Sequence, residues 1–273
     1  MNYKINDKGQ AQPLKTVKMG KDDFKDHNNT SIYWLGGGGA MINTHGTIIM
    51  IDPLLEGFDM PLLIDMPLDI KDVVKVDGVL VSHVDNDHYS RPTLRDIKDV
   101  TKEFHTSFYV ASLMKEECGI NNAIGHDIGD KIKVNDVEII TTPADHAWQN
   151  GIEKYNYRVW EDREYCGFYL TCKDCKIWYV GDSKLLDSQL HMDPPDVILF
   201  DYADNPVHIG LKDAYKLANT YPDSKLILIH WGSVDSPKSS AFNGNPKDIL
   251  DNVINPERVL VLNPGEKYIV GDK

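Results

Sequence analysis

No stretch of this 273-residue chain is apolar for long enough to cross a bilayer, which takes about 20 consecutive residues. The opening segment, MNYKINDKGQAQPLK, lacks the apolar centre of a secretion signal. A cytoplasmic protein with no membrane partner is therefore expected. Basic charge is in short supply: 29 Lys and Arg face 42 Asp and Glu, a formal net charge of −13. Such a surface repels phosphate backbones, which argues against nucleic acid as a partner. Cysteine is scarce too, with four residues in the chain. Cys172 and Cys175 form a C-x-x-C pair, but a structural zinc takes four ligands. Cys118 and Cys166 stand alone, so the pair reads as two thiols at a hairpin turn. Repeats and low-complexity tracts are absent.

Hydrophobic residues make up 41% of the chain, enough for a sizeable core. Residues 1–29 show little apolar periodicity and read as an N-terminal extension that pairs at an edge or lies over the surface; residues 30–273 read as one domain. From Ser31 onward come short apolar runs bounded by Gly, Pro, Asp or Asn, the usual marks of strands. SIYWL, GTIIMIDP, VDGVLVSH, SFYVA, VEIITTP, CGFYLTC, KIWYVGD, DVILFD, KLILIH and RVLVL are such runs. Between them RPTLRDIKDV, ASLMKEEC, LKDAYKLANTY and NPKDILDNVI are candidate helices. Pro92 and Pro246 sit where a first helical turn accepts proline. The run Gly36–Gly39 either cradles an anion through its backbone N–H groups or forms a tight turn between strands, and the turn is preferred because no helix follows.

Polar residues gather where strands end. VSHVDNDHYS packs His83, Asp85, Asp87 and His88 into six residues. In a loop this spacing turns side chains toward two points about 3.5–4 Å apart, the separation of a two-metal hydrolytic site. Alone, the run is also compatible with a solvated polar loop. His146 follows IITTPA, Asp182 follows IWYVG and His230 ends KLILI. Together these make seven candidate metal ligands in a fixed order, on loops held by strands.

In that order, and with WLG and IDP before it, the chain resembles the metallo-β-lactamase-fold metal-dependent hydrolase superfamily. It looks closest to the branch of L-ascorbate-6-phosphate lactonase. The resemblance runs from about Ser31 to His230. It implies an α/β fold, a four-layer αββα sandwich with the site at one edge. It also implies two divalent ions per chain. His83, the residue at 85 and His146 would hold one; Asp87, His88 and His230 would hold the other. Asp182 would bridge them together with a hydroxide.

The sequence departs from the family pattern at Asp85, where a histidine is usual. Either the first site is broken or Asp85 is itself a ligand. The second alternative is preferred. The usual histidine binds through Nδ1, one bond beyond Cγ, and an aspartate oxygen also lies one bond beyond Cγ. The exchange makes the centre one charge less positive and shifts preference from zinc toward manganese or iron. A second departure is Gly37 after WLG, where relatives carry a polar side chain. The pocket is then wider there, or backbone N–H groups meet the substrate.

Residues 147–165 are rich in aromatics. They read as a lid and substrate wall, as an extra surface hairpin, for which KYNYRVWED alternates suitably, or as both. Trp148, Arg158 and Arg163 are its candidate substrate contacts. His208 is a candidate general acid, and Asp87 and Asp182 complete the candidate catalytic set. The expected function is a metal-dependent hydrolase that directs a bridging hydroxide at a small, anionic lactone or phosphate ester. The alternatives are a phosphodiesterase or nuclease on the same scaffold, or a metal-binding sensor without turnover. The expected partner is a small molecule; self-association stays open.

Overall fold

The computed structural model describes residues 2–271. Met1 and residues 272–273, at the outer ends of the two expected segments, lie outside the described residues. In chain order the strands and helices are β1 (Tyr3–Ile5), β2 (Ala11–Pro13), β3 (Thr30–Gly36), β4 (Gly39–Thr44), β5 (Thr47–Ile51), β6 (Val76–Leu80), α1 (Arg91–Ile97), β7 (Thr101–Ser107), α2 (Phe108–Cys118) and β8 (Ala123–His126). Then follow β9 (Lys131–Val134), β10 (Val137–Pro143), β11 (Cys166–Thr171), β12 (Lys176–Tyr179), β13 (Val197–Phe200), α3 (Leu211–Thr220), β14 (Lys225–Leu228), α4 (Pro246–Asn252), β15 (Val259–Leu260) and β16 (Lys267–Ile269). Two seven-stranded mixed sheets result, ordered β16-β3-β4-β5-β6-β7-β8 and β15-β14-β13-β12-β11-β10-β9. Among the described residues no helix is long and apolar enough to cross a membrane.

The layers follow from the strand period of two. Ile32 and Trp34 face the second sheet and join Phe168, Ile139 and Tyr179 in one cluster. Tyr33 and Leu35, their neighbours in sequence, face outward and pack with Leu94, Val110 and Met114 of α1 and α2. Helix α3 closes the other side through Ala214, Leu217 and Ala218. Strands covered on both faces have no solvent face to mark, so they read as continuous apolar runs. This is the αββα sandwich.

Helix starts follow local chemistry. The Ser90 hydroxyl accepts from the Thr93 amide ahead of α1, and the Asn245 side chain accepts from the Lys247 amide ahead of α4, each satisfying a free first-turn donor.

Two sequence expectations need correction. SFYVA is not a strand: β7 ends at Ser107, and Phe108 opens α2, which buries Val110, Ala111, Met114 and Cys118 along one face. The strand lies one segment earlier, hidden in sequence by Lys102 and Glu103. KYNYRVWED forms no hairpin. The Asn150 side chain takes both the amide (2.9 Å) and the carbonyl (2.8 Å) of Trp160, so a partner strand finds no backbone there. Short 3-10 turns at Trp148–Gly151, Glu153–Tyr155 and Asp162–Glu164 build the segment instead. The N-terminal segment carries the two-stranded β1-β2 sheet and lies against the domain. Met19 and Phe24 are buried in the outer core, and the Val17 amide bonds the Pro264 carbonyl at 2.8 Å.

Candidate metal centre

Four loops leave the carboxyl ends of β6, β10, β12 and β14 and meet between the sheet edges. The open ends of strands are where α/β folds build sites. His83 lies three residues beyond β6, His146 three beyond β10, Asp182 three beyond β12 and His230 two beyond β14. The seven predicted residues are brought together by these loops. Among the described residues four groups of potential ligand atoms form: the separate triads His83, Asp85 and His146, and Asp87, His88 and His230, and two groups through Asp182, with His83 and His88 and with Asp201, His208 and His230. Asp85 Oδ2 is 3.4 Å from both His83 Nε2 and His146 Nε2. Asp87 Oδ2 is 3.4 Å from His88 Nε2 and 3.1 Å from His230 Nε2. Asp182 Oδ2 stands between the triads, 3.1 Å from His88 Nε2, 3.3 Å from His230 Nε2 and 3.8 Å from His146 Nε2.

The imidazoles share one orientation rule: each gives Nδ1 to the protein and turns Nε2 inward. His88 Nδ1 pairs with Asp52 Oδ2 at 2.8 Å. His146 Nδ1 bonds the Val207 carbonyl at 2.6 Å, and His230 Nδ1 the Ala241 carbonyl at 3.1 Å. His83 Nδ1 meets Ser82 Oγ at 2.8 Å. That hydroxyl donates its own proton to Asp52 at 2.5 Å, so it must accept from His83. Carbonyl and carboxylate acceptors place the proton on Nδ1 and leave the Nε2 lone pair for the centre, as in metal sites. His83 Nε2 and His88 Nε2 are buried without an aligned hydrogen-bond partner. Such orphans are costly unless something else occupies them. The donor set of imidazole nitrogens and carboxylate oxygens fits zinc, manganese or iron.

Electrostatics point the same way. Burial works against the charge of Asp85, Asp87 and Asp182, yet neighbouring imidazoles hold all three carboxyls below their usual range. Burial likewise opposes protonation of His88, His146 and His230, but the carboxylates push their basicities up, His230 to about 10. Without a cation, protons neutralise the cluster. His83 moves the other way, lowered by burial and by His88.

Asp52 anchors this arrangement from behind. It accepts from the Ser82 amide (2.7 Å), the Ser82 hydroxyl (2.5 Å), His88 Nδ1 (2.8 Å) and the Tyr179 hydroxyl (2.7 Å). Asp52 and His230 both hold left-handed backbone, with φ of 45° and 61°, an uncommon conformation that gathers at functional sites. Gly38 is required by packing. A Cβ there would come within 2.6 Å of His88 Cε1.

A cavity of about 670 Å³ opens over the centre. Asp85, Asp87, His146, Asp182, His208 and His230 form its floor, and Trp148, Gln149, Tyr155, Tyr157, Trp160 and Phe242 wall it. His208 is buried and bonds Asp201 Oδ2 through Nδ1 at 2.7 Å. Arg158 and Arg163 are not brought to the cavity. Arg158 lies 3.7 Å over the Tyr109 ring and pairs with Glu164, and Arg163 pairs with Glu161 at 2.5 Å on the surface. Nor is Gly37 free to meet a substrate. Its amide donates to Ser233 Oγ at 2.9 Å, and its carbonyl accepts from Trp34 Nε1 at 2.9 Å and the His230 amide at 2.7 Å. Gly37 therefore positions His230. Asp52, Ser82, Gln149 and Asp201 carried no role in the sequence. Of these only Asp52 had a signal, the IDP motif after a strand.

A family model described as a beta-lactamase superfamily domain matches residues 47–231, the span from β5 to the last histidine of the cluster. Among curated relatives, a UPF0173 metal-dependent hydrolase from Caldivirga maquilingensis is 25% identical over 238 residues, 85% of this chain and 95% of the relative. An N-acyl-phosphatidylethanolamine-hydrolyzing phospholipase D 1 from Caenorhabditis elegans is 22% identical over 244 residues, 78% of this chain and 66% of the relative. Among solved structures, Igni18, a metallo hydrolase from Ignicoccus hospitalis, superposes with a TM-score of 0.69 at 18% identity, covering 90% of this chain and 100% of that one. The chain has the metallo-β-lactamase fold and belongs to the beta-lactamase superfamily domain family.

Proposed function

We propose that this chain is a metal-dependent hydrolase with a dinuclear centre, acting on a small ester. One observation carries the reading: four imidazoles, each with Nδ1 bound to the protein, turn Nε2 into one buried cluster of two triads that three carboxylates complete. His83, Asp85 and His146 would hold one divalent ion, and Asp87, His88 and His230 the second, with Asp182 common to both. Divalent ions held there would supply a nucleophile from water at neutral pH and Lewis-acid stabilisation of negative charge. His208, oriented by Asp201, is the general acid for the leaving group. Trp148, Tyr155, Trp160 and Phe242 bind the apolar part of the substrate and exclude water from it.

The cavity lining favours one of the two expected substrate classes. Among the described residues that line the cavity Arg91 is the one Lys or Arg, and its Nε is given to Glu117 at 2.5 Å. Away from the carboxylate-ringed floor the wall is mainly aromatic, which suits a lactone with an aromatic or alkyl body. The resemblance to the branch of a lactonase supports a lactone as the reacting group and is neutral as to the charge of the rest of the substrate. Phosphodiester cleavage is the second reading, supported by the likeness to the phospholipase from Caenorhabditis elegans.

The test is a matched set of aryl-substituted substrates, a γ-lactone, a phosphomonoester and a phosphodiester, offered to the manganese-loaded chain. The lactone should be hydrolysed with the highest kcat/KM. A tenfold or greater preference for the diester would replace the first reading by the second.

A further inference from the structure

We infer that Trp148 and Gln149 are positioning residues that make Asp85 a one-oxygen metal ligand in the place of the usual histidine. The inference rests on the reading of the cluster as a metal centre.

A carboxylate in a histidine's place brings two problems. It offers two donor oxygens where the imidazole offers one nitrogen, and it adds a full negative charge. The structure addresses both. The Gln149 side-chain amide donates to Asp85 Oδ1 at 2.6 Å, which occupies the oxygen farther from the cluster. Trp148 Nε1 donates to Oδ2 at 2.7 Å. A carboxylate oxygen accepts at two lone pairs. The indole takes one, and the other remains for the point that His83 Nε2 and His146 Nε2 share, 3.4 Å from each.

Both donors are neutral. They withdraw electron density from the carboxylate, as hydrogen bonds to metal-ligating carboxylates do, without installing a cation that would repel the metals. The Tyr165 hydroxyl donates to Gln149 Oε1 at 2.6 Å, which fixes the amide with its N–H side toward Asp85. Gln149 and Tyr165 are both buried, so the chain of bonds does not compete with water. Trp148 and Gln149 directly follow the His146 turn, so the loop that delivers one ligand also orients another. The aromatic segment after His146 and the aspartate at position 85 are thus two halves of one device.

The experiment is a cobalt(II) titration of the metal-stripped full chain, followed by the visible d–d absorption of bound cobalt, with near-ultraviolet circular dichroism as the fold check. Asp85→Ala identifies the binding event that depends on residue 85. Trp148→Phe, which keeps the ring and removes the N–H, should weaken that event about 10- to 100-fold, the usual effect of losing such a partner, and leave the other event within about twofold. Gln149→Glu, which sets a like charge against Oδ1, should act in the same direction. In the Asp85→Ala chain, Trp148→Phe should change neither event by more than about twofold. Equal weakening in both backgrounds, or none in the Asp85 chain, overturns the inference while leaving the metal centre standing. Should the wild-type chain take up no cobalt, the proposed function and the inference fall together.

Discussion

Asp52 Oδ2 lies 2.8 Å from His88 Nδ1, and both residues are fully buried. This contact decides which nitrogen of His88 faces the cluster. Asp52 also holds Ser82, whose hydroxyl in turn accepts from His83, so one carboxylate sets the tautomers of two candidate ligands. Replacing Asp52 by Ala should weaken divalent binding at both positions about 10- to 100-fold. It should also strand the Tyr179 hydroxyl and lower the urea midpoint. Isothermal titration with Mn(II) reads the first effect; unchanged affinity at both positions would remove Asp52 from the site.

Asp182 touches both triads and His230 only one. Asp182→Ala should therefore abolish turnover and weaken both binding events. His230→Ala should weaken the event shared with Asp87 and His88 and spare the other at first. Metal titrations of the two variants, run side by side, separate these patterns. Normal metal content and rate in Asp182→Ala would contradict the bridging role.

His208→Gln should lower kcat about 10²- to 10⁴-fold, the usual contribution of a positioned acid, with metal content unchanged. Asp201→Asn should reproduce part of that loss, because the 2.7 Å bond that orients His208 is altered. The pH–rate profile is the discriminating readout. Removing the acid should flatten the limb on which activity falls as pH rises. A preserved limb would assign it to another group.

Protons and metals compete for the same nitrogens. Burial opposes the charge on His230, but Asp182 and Asp87 raise its pKa to about 10. In the stripped chain its contribution to stability is full below the unfolded value near 6.5 and is lost as pH rises through about 10. Asp85, Asp87 and Asp182 are lowered, so their contribution is present above about 4 and lost as pH falls. His105, held to about 4 by burial and His126, is at full effect above about 6.5 and loses it as pH falls toward 4. The stripped chain should thus lose stability between pH 7 and 10, and His230→Gln should flatten that decline in urea midpoints. Metal affinity should rise over the same interval as protons leave. A decline identical in wild type and variant would contradict this assignment.

Much of the site was legible in the sequence because its side chains stand just beyond apolar runs. His83, Asp182 and His230 each follow a strand whose burial on both faces makes it conspicuous. Residues that act through others left weaker traces. Gln149 and Asp201 look like ordinary loop polar residues, and their roles depend on which distant side chain each meets. The arginines of the aromatic segment misled for the same reason. Charge type was visible, but the Glu161 and Glu164 partners that engage Arg163 and Arg158 were not. Strand β7 was hidden by Lys102 and Glu103, and the wall segment imitated a hairpin whose backbone Asn150 had already claimed.

Metal stoichiometry against activity tests the proposed dinuclear hydrolytic centre most directly. The stripped chain should hydrolyse no lactone. Activity should appear as manganese is added and reach its plateau at about two equivalents per chain, as expected for paired ions that share one nucleophile. A plateau at one equivalent, with Asp85→Ala fully active, would contradict a dinuclear centre, as would hydrolysis that persists after the metal is removed.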